Sequence, residues 1–249
     1  MRIHSSLAIV GSAQFGLSSA YDCHVYAIRA PEGIVLIDSG SGLGEEDIAQ
    51  HLAVDFPELP VQAVLLTHAH MDHSGGAPGL KQRYGCAVVA SDQSFHVLET
   101  ANEEQSGLCR ARAAGAYPAN LCMTPCAIDA TYSDNMQIAI AGLTFEAVHV
   151  RGHSRDSFCL LTNLAGRKVC FSGDAVFYGG ILGVINSWDS RMQDYWTDLP
   201  KLKDRSIDML LPGHGLFTLR DGQRHIAAGI ESLYSGFLPV QVGQGVRIF

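Results

Sequence analysis

Basic residues are scarce in this sequence. Lys and Arg number 17 against 25 Asp and Glu, a formal charge of −8. A polyphosphate backbone is held by clustered cations that release its counterions, so nucleic acid is excluded as an expected partner. Long apolar runs are missing as well. None approaches the roughly 18 residues of a membrane span, and the stretch from Met1 to Ala20 is interrupted by Gln14 and repeated Ser and Gly, unlike the apolar centre of a secretory signal. The seven Cys, at 23, 86, 109, 122, 126, 159 and 170, include no C-x-x-C pair. That argues against a zinc knuckle built from Cys109, Cys122 and Cys126, and favours reduced thiols in a cytoplasmic protein. There is no G-x-S-x-G elbow and no Gly-rich phosphate loop, nor any internal repeat or low-complexity tract. A serine nucleophile and a nucleotide cradle therefore have no sequence support.

Hydrophobic residues make up 47% of the chain and charged residues 17%, values that predict a sizeable core. With 249 residues, the expectation is one domain over 1–249. Short runs rich in Val, Ile and Leu, each stopped by Gly, Pro, Asp or Ser, predict strands. They fall near 7–10, 24–28, 34–37, 63–66 and 87–90 in the first half, and near 137–140, 144–150, 158–162, 168–171 and 209–211 in the second. Helices are expected over 44–54, 78–84, 92–101, 191–203 and 221–234. Ten strands with interleaved helices point to an α/β fold of two packed sheets. The stretch 103–131 mixes charges, three Cys and two Pro without periodicity, and reads either as an inserted binding loop or lid or as a solvated linker.

The chemistry concentrates after the strand 61–66, in Thr67-His68-Ala69-His70-Met71-Asp72-His73-Ser74-Gly75-Gly76. Imidazole nitrogens and carboxylate oxygens are ligands for zinc and neighbouring transition metals, and this loop carries three His and one Asp within six residues. His68 and His70, two apart on an extended exit, share one side, while Asp72 and His73 enter the following turn. Two subsites need more ligands than one loop supplies. His153, Asp174 and His214 each lie just beyond an apolar run and beside Gly, in Gly152-His153, Gly173-Asp174 and Gly213-His214. Taken singly, each suits a surface or core position equally well; with the first loop, they form a set. Asp38, in Ile37-Asp38-Ser39-Gly40, reads on its own as a strand-ending turn. His24 stands in Asp22-Cys23-His24-Val25, where a plain strand histidine is the simpler reading, and His149 is read as a core residue or a support to the ligands.

In this order and spacing the motifs resemble the metallo-β-lactamase-fold hydrolase superfamily, over 38–214. The resemblance implies a four-layer αβ/βα sandwich with a dinuclear site at one edge. It implies that His68, His70 and His153 hold one metal, that Asp72, His73 and His214 hold the other, that Asp174 bridges them, and that Asp38 orients ligand histidines. Two divalent ions are expected, zinc first, with iron or manganese suiting the same nitrogen and oxygen ligands. The expected reaction is hydrolysis of a small carboxylic ester, thioester or lactone by a metal-bridging hydroxide, with Asp72 beside the nucleophile. True β-lactamases of this fold lack the bridging Asp, so Ser172-Gly173-Asp174 disfavours that alternative. Glyoxalase II enzymes are similar through residues 173–180, but 181–188 carries no charge where they have a basic residue for glutathione. That departure favours an apolar substrate in a pocket walled by 176–182, with Tyr178 the nearby donor for a carbonyl or oxyanion. The competing reading is a persulfide dioxygenase with a single iron on His68, His153 and Asp174. A small-molecule substrate is the expected partner, with no membrane contact; the sequence leaves the oligomeric state open.

Overall fold

The computed structural model describes residues 1–242; residues 243–249, the end of the expected single domain, lie outside the described residues. The chain divides into two compact units. One holds residues 1–132 and 139–143, the other 133–138 and the chain from 144 onward.

The first unit is built on seven strands in sequential order: β1 (Arg2–His4), β2 (Leu7–Gly11), β3 (Val25–Ala30), β4 (Gly33–Ile37), β5 (Val61–Leu65), β6 (Ala87–Ser91) and β7 (Ala130–Tyr132). β1 to β4 are antiparallel, and β4 to β7 are parallel. Five helices accompany them: α1 (Glu45–Asp55), α2 (Met71–Ser74), α3 (Ala77–Tyr84), α4 (Phe95–Thr100) and α5 (Leu108–Ala113). One row of strand side chains, with Val10, Val25, Ile34, Leu36, Val64 and Val88, clusters with Ile48 and Leu52 of α1 and Leu80 of α3. The opposite row, with Ile9, Ile28, Val35, Ile37 and Leu65, is equally buried. Strands buried on both faces read as continuous apolar runs rather than alternating ones, which is why they are visible in the sequence.

The second sheet has five strands, β8 (Gln137–Ile140), β9 (Leu143–His149), β10 (Phe158–Leu164), β11 (Arg167–Gly173) and β12 (Met209–Pro212), in the order β12-β11-β10-β9-β8. β10 to β12 and all of β9 but Leu143 belong to the second unit, while β8 is divided after Ile138. β9, β10 and β11 are antiparallel, and β12 lies parallel to β11. On α7 (Gly222–Leu233), Gly222, His225, Ile226, Gly229, Ile230 and Leu233 are buried, the i, i+3, i+4, i+7 stripe of an amphipathic helix. Ile226, Ile230 and Leu233 join Val148, Leu161, Cys170 and Leu210 of the sheet in one core, with Tyr195, Leu199 and Leu202. The single helix expected over 191–203 is instead α6 (Met192–Asp198) followed by a 3-10 turn over Leu199–Leu202. Pro200, which has no N–H, opens that turn. No described helix is long and apolar enough to cross a membrane.

Candidate metal centre

Every expected ligand follows the C-terminal end of a strand. In the first unit, β5 ends at Leu65 and its exit carries Thr67, His68 and His70, while Asp72 and His73 sit on α2. In the second, β9, β11 and β12 are followed by His153, Asp174 and His214. All of these except His70 and Asp72 are buried, an arrangement that costs free energy unless the polar groups are paired or ligated.

Asp38 organises the first cluster. Its backbone lies at φ 62°, a left-handed conformation that costs a non-glycine residue about 1–2 kcal/mol. That conformation is held by three hydrogen bonds to the buried carboxylate. Thr67 N–H donates to Oδ1 at 2.7 Å, and Thr67 Oγ1 to Oδ2 at 3.0 Å. His73 Nδ1 lies 2.8 Å from the same Oδ2. Because Oδ2 only accepts, the proton sits on Nδ1 of His73, leaving Nε2 as a lone-pair donor. Thr67 relays the same effect. Its hydroxyl proton is committed to Asp38, so the 3.0 Å contact with His68 Nδ1 places a proton on that nitrogen and frees His68 Nε2. In the second cluster His153 Nδ1 donates to the Gly183 carbonyl at 2.6 Å, again freeing Nε2. Gly183 is required there, since a Cβ would stand 1.8 Å from the Asp174 carbonyl oxygen.

The freed atoms have the spacing of metal ligands. Donors held about 2.0–2.1 Å from a tetrahedral zinc stand roughly 3.4 Å apart. His68 Nε2 and His70 Nδ1 are 3.1 Å apart, and His73 Nε2 and Asp72 Oδ2 are 3.5 Å apart. Asp174 Oδ2 lies 3.5 Å from His153 Nε2 and 3.6 Å from His214 Nε2. Each of these seven residues belongs to a group of side chains able to hold a metal ion. Cys23, with Asp38 and His73, forms a further such group, but its thiol is fully buried, and burial pushes its pKa up to about 12, which disfavours the thiolate a metal needs.

Two contributors lie outside the candidate ligand set read from the sequence. Thr67 carries the relay, and the signal for it was a hydroxyl residue directly before a ligand histidine. Tyr117, from the 103–131 insertion, donates its hydroxyl to Asp72 Oδ1 at 3.0 Å, across 45 positions with no local signal. The insertion is ordered against α2. Leu108 and Leu121 bury themselves with Met71, beside Tyr117. Arg112 ties Glu103 and the Leu121 carbonyl at 2.7 and 2.5 Å, and it holds the Glu103 carboxyl below the ordinary range. Tyr178 lies on the 3-10 turn Tyr178–Gly180 after Asp174 and is 37% exposed, its ring 4.1 Å from that of His225. His24 is a buried strand-entry residue, 2.9 Å from Ser12 Oγ and stacked on Phe15. His149 stacks on Phe158 and contacts the Arg155 carbonyl at 2.8 Å.

Comparison with known proteins agrees with this geometry. The Metallo-beta-lactamase superfamily matches residues 19–214. The hydroxyacylglutathione hydrolase GloC of Haemophilus influenzae is 28% identical over 175 residues, 65% of this chain and 72% of that protein. The acyl-coenzyme A thioesterase MBLAC2 of Gallus gallus is 27% identical over 207 residues, 77% of this chain and 72% of that one. A metallo-β-lactamase structure from Cronobacter sakazakii superimposes with a TM-score of 0.71 at 19% identity, covering 94% of this chain and 92% of that one, a likeness of fold. The two mixed sheets, the ligand-bearing strand exits and the match over 19–214 together establish that the chain belongs to the metallo-β-lactamase superfamily.

Proposed function

We propose that both clusters serve one dinuclear centre in a single catalytic domain, and that the protein is a metal-dependent thioester hydrolase. The observation that carries the reading is the position of Asp174. One carboxylate oxygen stands 3.5 Å from His153 Nε2 and 3.6 Å from His214 Nε2, ligands of different metals in the family pattern, as a bridging oxygen requires. His68, His70 and His153 would hold one ion, Asp72, His73 and His214 the other. Zinc suits this nitrogen and oxygen set, as do iron and manganese. Bound there, such ions would supply Lewis acidity, lowering the pKa of water toward neutrality and polarising a carbonyl.

The protein's own groups prepare that chemistry. Asp38, Thr67 and the Gly183 carbonyl fix the imidazole tautomers, so no reorganisation is needed when the ions load. Tyr117 occupies Asp72 Oδ1, which leaves Oδ2 for the ion and for steering a proton. Tyr178 is assigned the hydrogen bond to the substrate carbonyl oxygen, with the imidazole of His225 behind its ring. Water adds to the carbonyl carbon, the C–S bond breaks, and a carboxylic acid and a thiol leave. Thioesters are favoured over β-lactams because GloC and MBLAC2, the relatives matched in sequence above 25% identity, are thioester hydrolases by name, whereas the β-lactamase structure is a likeness of fold alone.

The test is elemental analysis of protein never exposed to chelator, with turnover of a panel of thioesters, lactones, bis(p-nitrophenyl) phosphate and glutathione persulfide. The expected result is about two ions per chain and thioesters turned over fastest. A profile dominated by the phosphodiester, or one iron with oxygen consumption on the persulfide, overturns the reading.

A further inference from the structure

The second unit contains an open pocket of about 250 Å³ lined by Arg151, Arg155, Trp188, Asp189, Arg191 and Asp194. Three arginines gather here in a chain whose formal charge is −8. We propose that this pocket binds the anionic end, carboxylate or phosphate, of the thiol-bearing half of the substrate. The proposal rests on the thioester reading and names the recognition group for it.

The pocket is built on the same backbone that presents His153. The Gly152 carbonyl accepts from Arg191 N–H and from Ser190 Oγ, both at 2.9 Å. Asp189, itself buried, accepts from the Arg155 backbone N–H at 3.1 Å and from Ser187 Oγ at 2.7 Å. Its charge is therefore spent on the frame. Arg151 is spent as well, since its guanidinium meets Asp198 at 2.6 and 3.3 Å. Arg155 and Arg191 differ. Among the described residues no carboxylate pairs with either guanidinium, and that of Arg155 stands over the Trp188 ring at 5.8 Å. Trp188 is 48% exposed. Two unpaired guanidinium forks beside an open aromatic face suit a planar oxyanion, which arginine binds through two parallel hydrogen bonds. Asp194 is the opposing charge on the wall.

Size and position limit the occupant. Whole ligands fill pockets of about 300–1,000 Å³, so this one takes an end rather than a complete molecule. Arg151 and Arg155 are each two residues from His153, and consecutive Cα atoms are about 3.8 Å apart. The pocket thus shares one loop with His153, and the carrier's own chain between its anion and its sulfur would span from the arginines toward the proposed ions. The uncharged run 181–188 supplies no basic grip itself; Arg151 and Arg155 come from the connection between β9 and β10, and Arg191 stands just beyond the run.

Two sources of the anion are tested separately. Kinetics of S-lactoylglutathione (carboxylates), an acyl-coenzyme A (phosphates) and an uncharged S-acyl-N-acetylcysteamine are compared in the native enzyme and in Arg155→Ala/Arg191→Ala. The native enzyme should prefer one charged carrier, and the double variant should lose about ten- to hundredfold of the charged-over-uncharged ratio of kcat/KM, mostly through KM. Asp194→Asn should move the ratio the other way. An unchanged ratio for both carriers overturns the proposal. Should no thioester be turned over, the hydrolase reading fails, and the pocket is judged by titrating the holoprotein with S-methylglutathione and with coenzyme A while following tryptophan fluorescence. Saturable binding of one, weakened about tenfold or more in the double variant, supports the pocket; binding of neither, or binding indifferent to the arginines, overturns it.

Discussion

A single carboxylate, that of Asp38, sets the protonation of two histidines, one directly and one through Thr67. Removing it frees the tautomers but leaves every ligand in place. Asp38→Ala should weaken metal binding about 10- to 100-fold, the usual cost of losing a group that supports a ligand. Asp174→Ala removes a ligand that the proposed centre shares, and should lose both ions and lower kcat by orders of magnitude. Elemental analysis of the two variants separates the cases; an Asp174→Ala protein that keeps two ions and near-native turnover sinks the bridge. Tyr117→Phe is the narrower probe. It deletes one hydroxyl from Asp72 Oδ1 while keeping the ring that faces Tyr21 at 5.8 Å. The expected result is affinity for the second of the two ions reduced about tenfold in a chelator competition, with little change in thermal midpoint. Equal loss at both ions would mean that Tyr117 acts on the fold rather than on Asp72.

Among the elements, legibility follows burial and length. The ten strands visible in the sequence are those with apolar runs. β1, exposed at Arg2 and only half-buried after it, and β7, three residues with only Tyr132 buried, carry no such run. α2 is a single turn of four residues, too short to show a 3.6-residue period, and the sequence marked only a turn there. α5 and the rest of the 103–131 insertion lacked periodicity because their order comes from a distant partner, Met71. The seven candidate ligand positions were legible as a set because metal chemistry constrains residue type and spacing, and each falls in a group of side chains able to hold an ion. Tyr117 and the arginine pocket were not, because their partners are set by folding; for Thr67 the sequence shows the neighbouring His68 but not Asp38. The insertion offers a test at this scale. Leu108 is 1% exposed and packs on Met71, next to Asp72. Leu108→Ala should cost about 2–5 kcal/mol of stability through the cavity it leaves, far more than Glu103→Ala, whose half-exposed ion pair is worth at most about 1 kcal/mol. Denaturant midpoints of the two variants give the comparison, and the reverse order would show that the ion pair, not the apolar cluster, holds the insertion.

For the molecule as a whole, the proposed ions are expected to add to the stability. Buried carboxylates and imidazoles are expensive when unligated, and Asp174 is 5% exposed, His153 3% and His214 7%. An ion that binds only the folded chain stabilises it by RT ln(1 + [L]/Kd), about 4.1 kcal/mol at a free concentration of 1,000 Kd. For a chain of this size 1 kcal/mol moves the thermal midpoint by about 2–4 °C, so each ion lost to a chelator should lower it by roughly 8–16 °C. Asp174→Ala, already without ions, should melt at one temperature with or without chelator. Calorimetry of both proteins, before and after dialysis against a chelator and again after zinc is returned, measures this directly. A native midpoint that ignores the chelator while elemental analysis shows the ions gone would mean that the core clusters carry the fold alone, and that the donor set is organised for catalysis without contributing to stability.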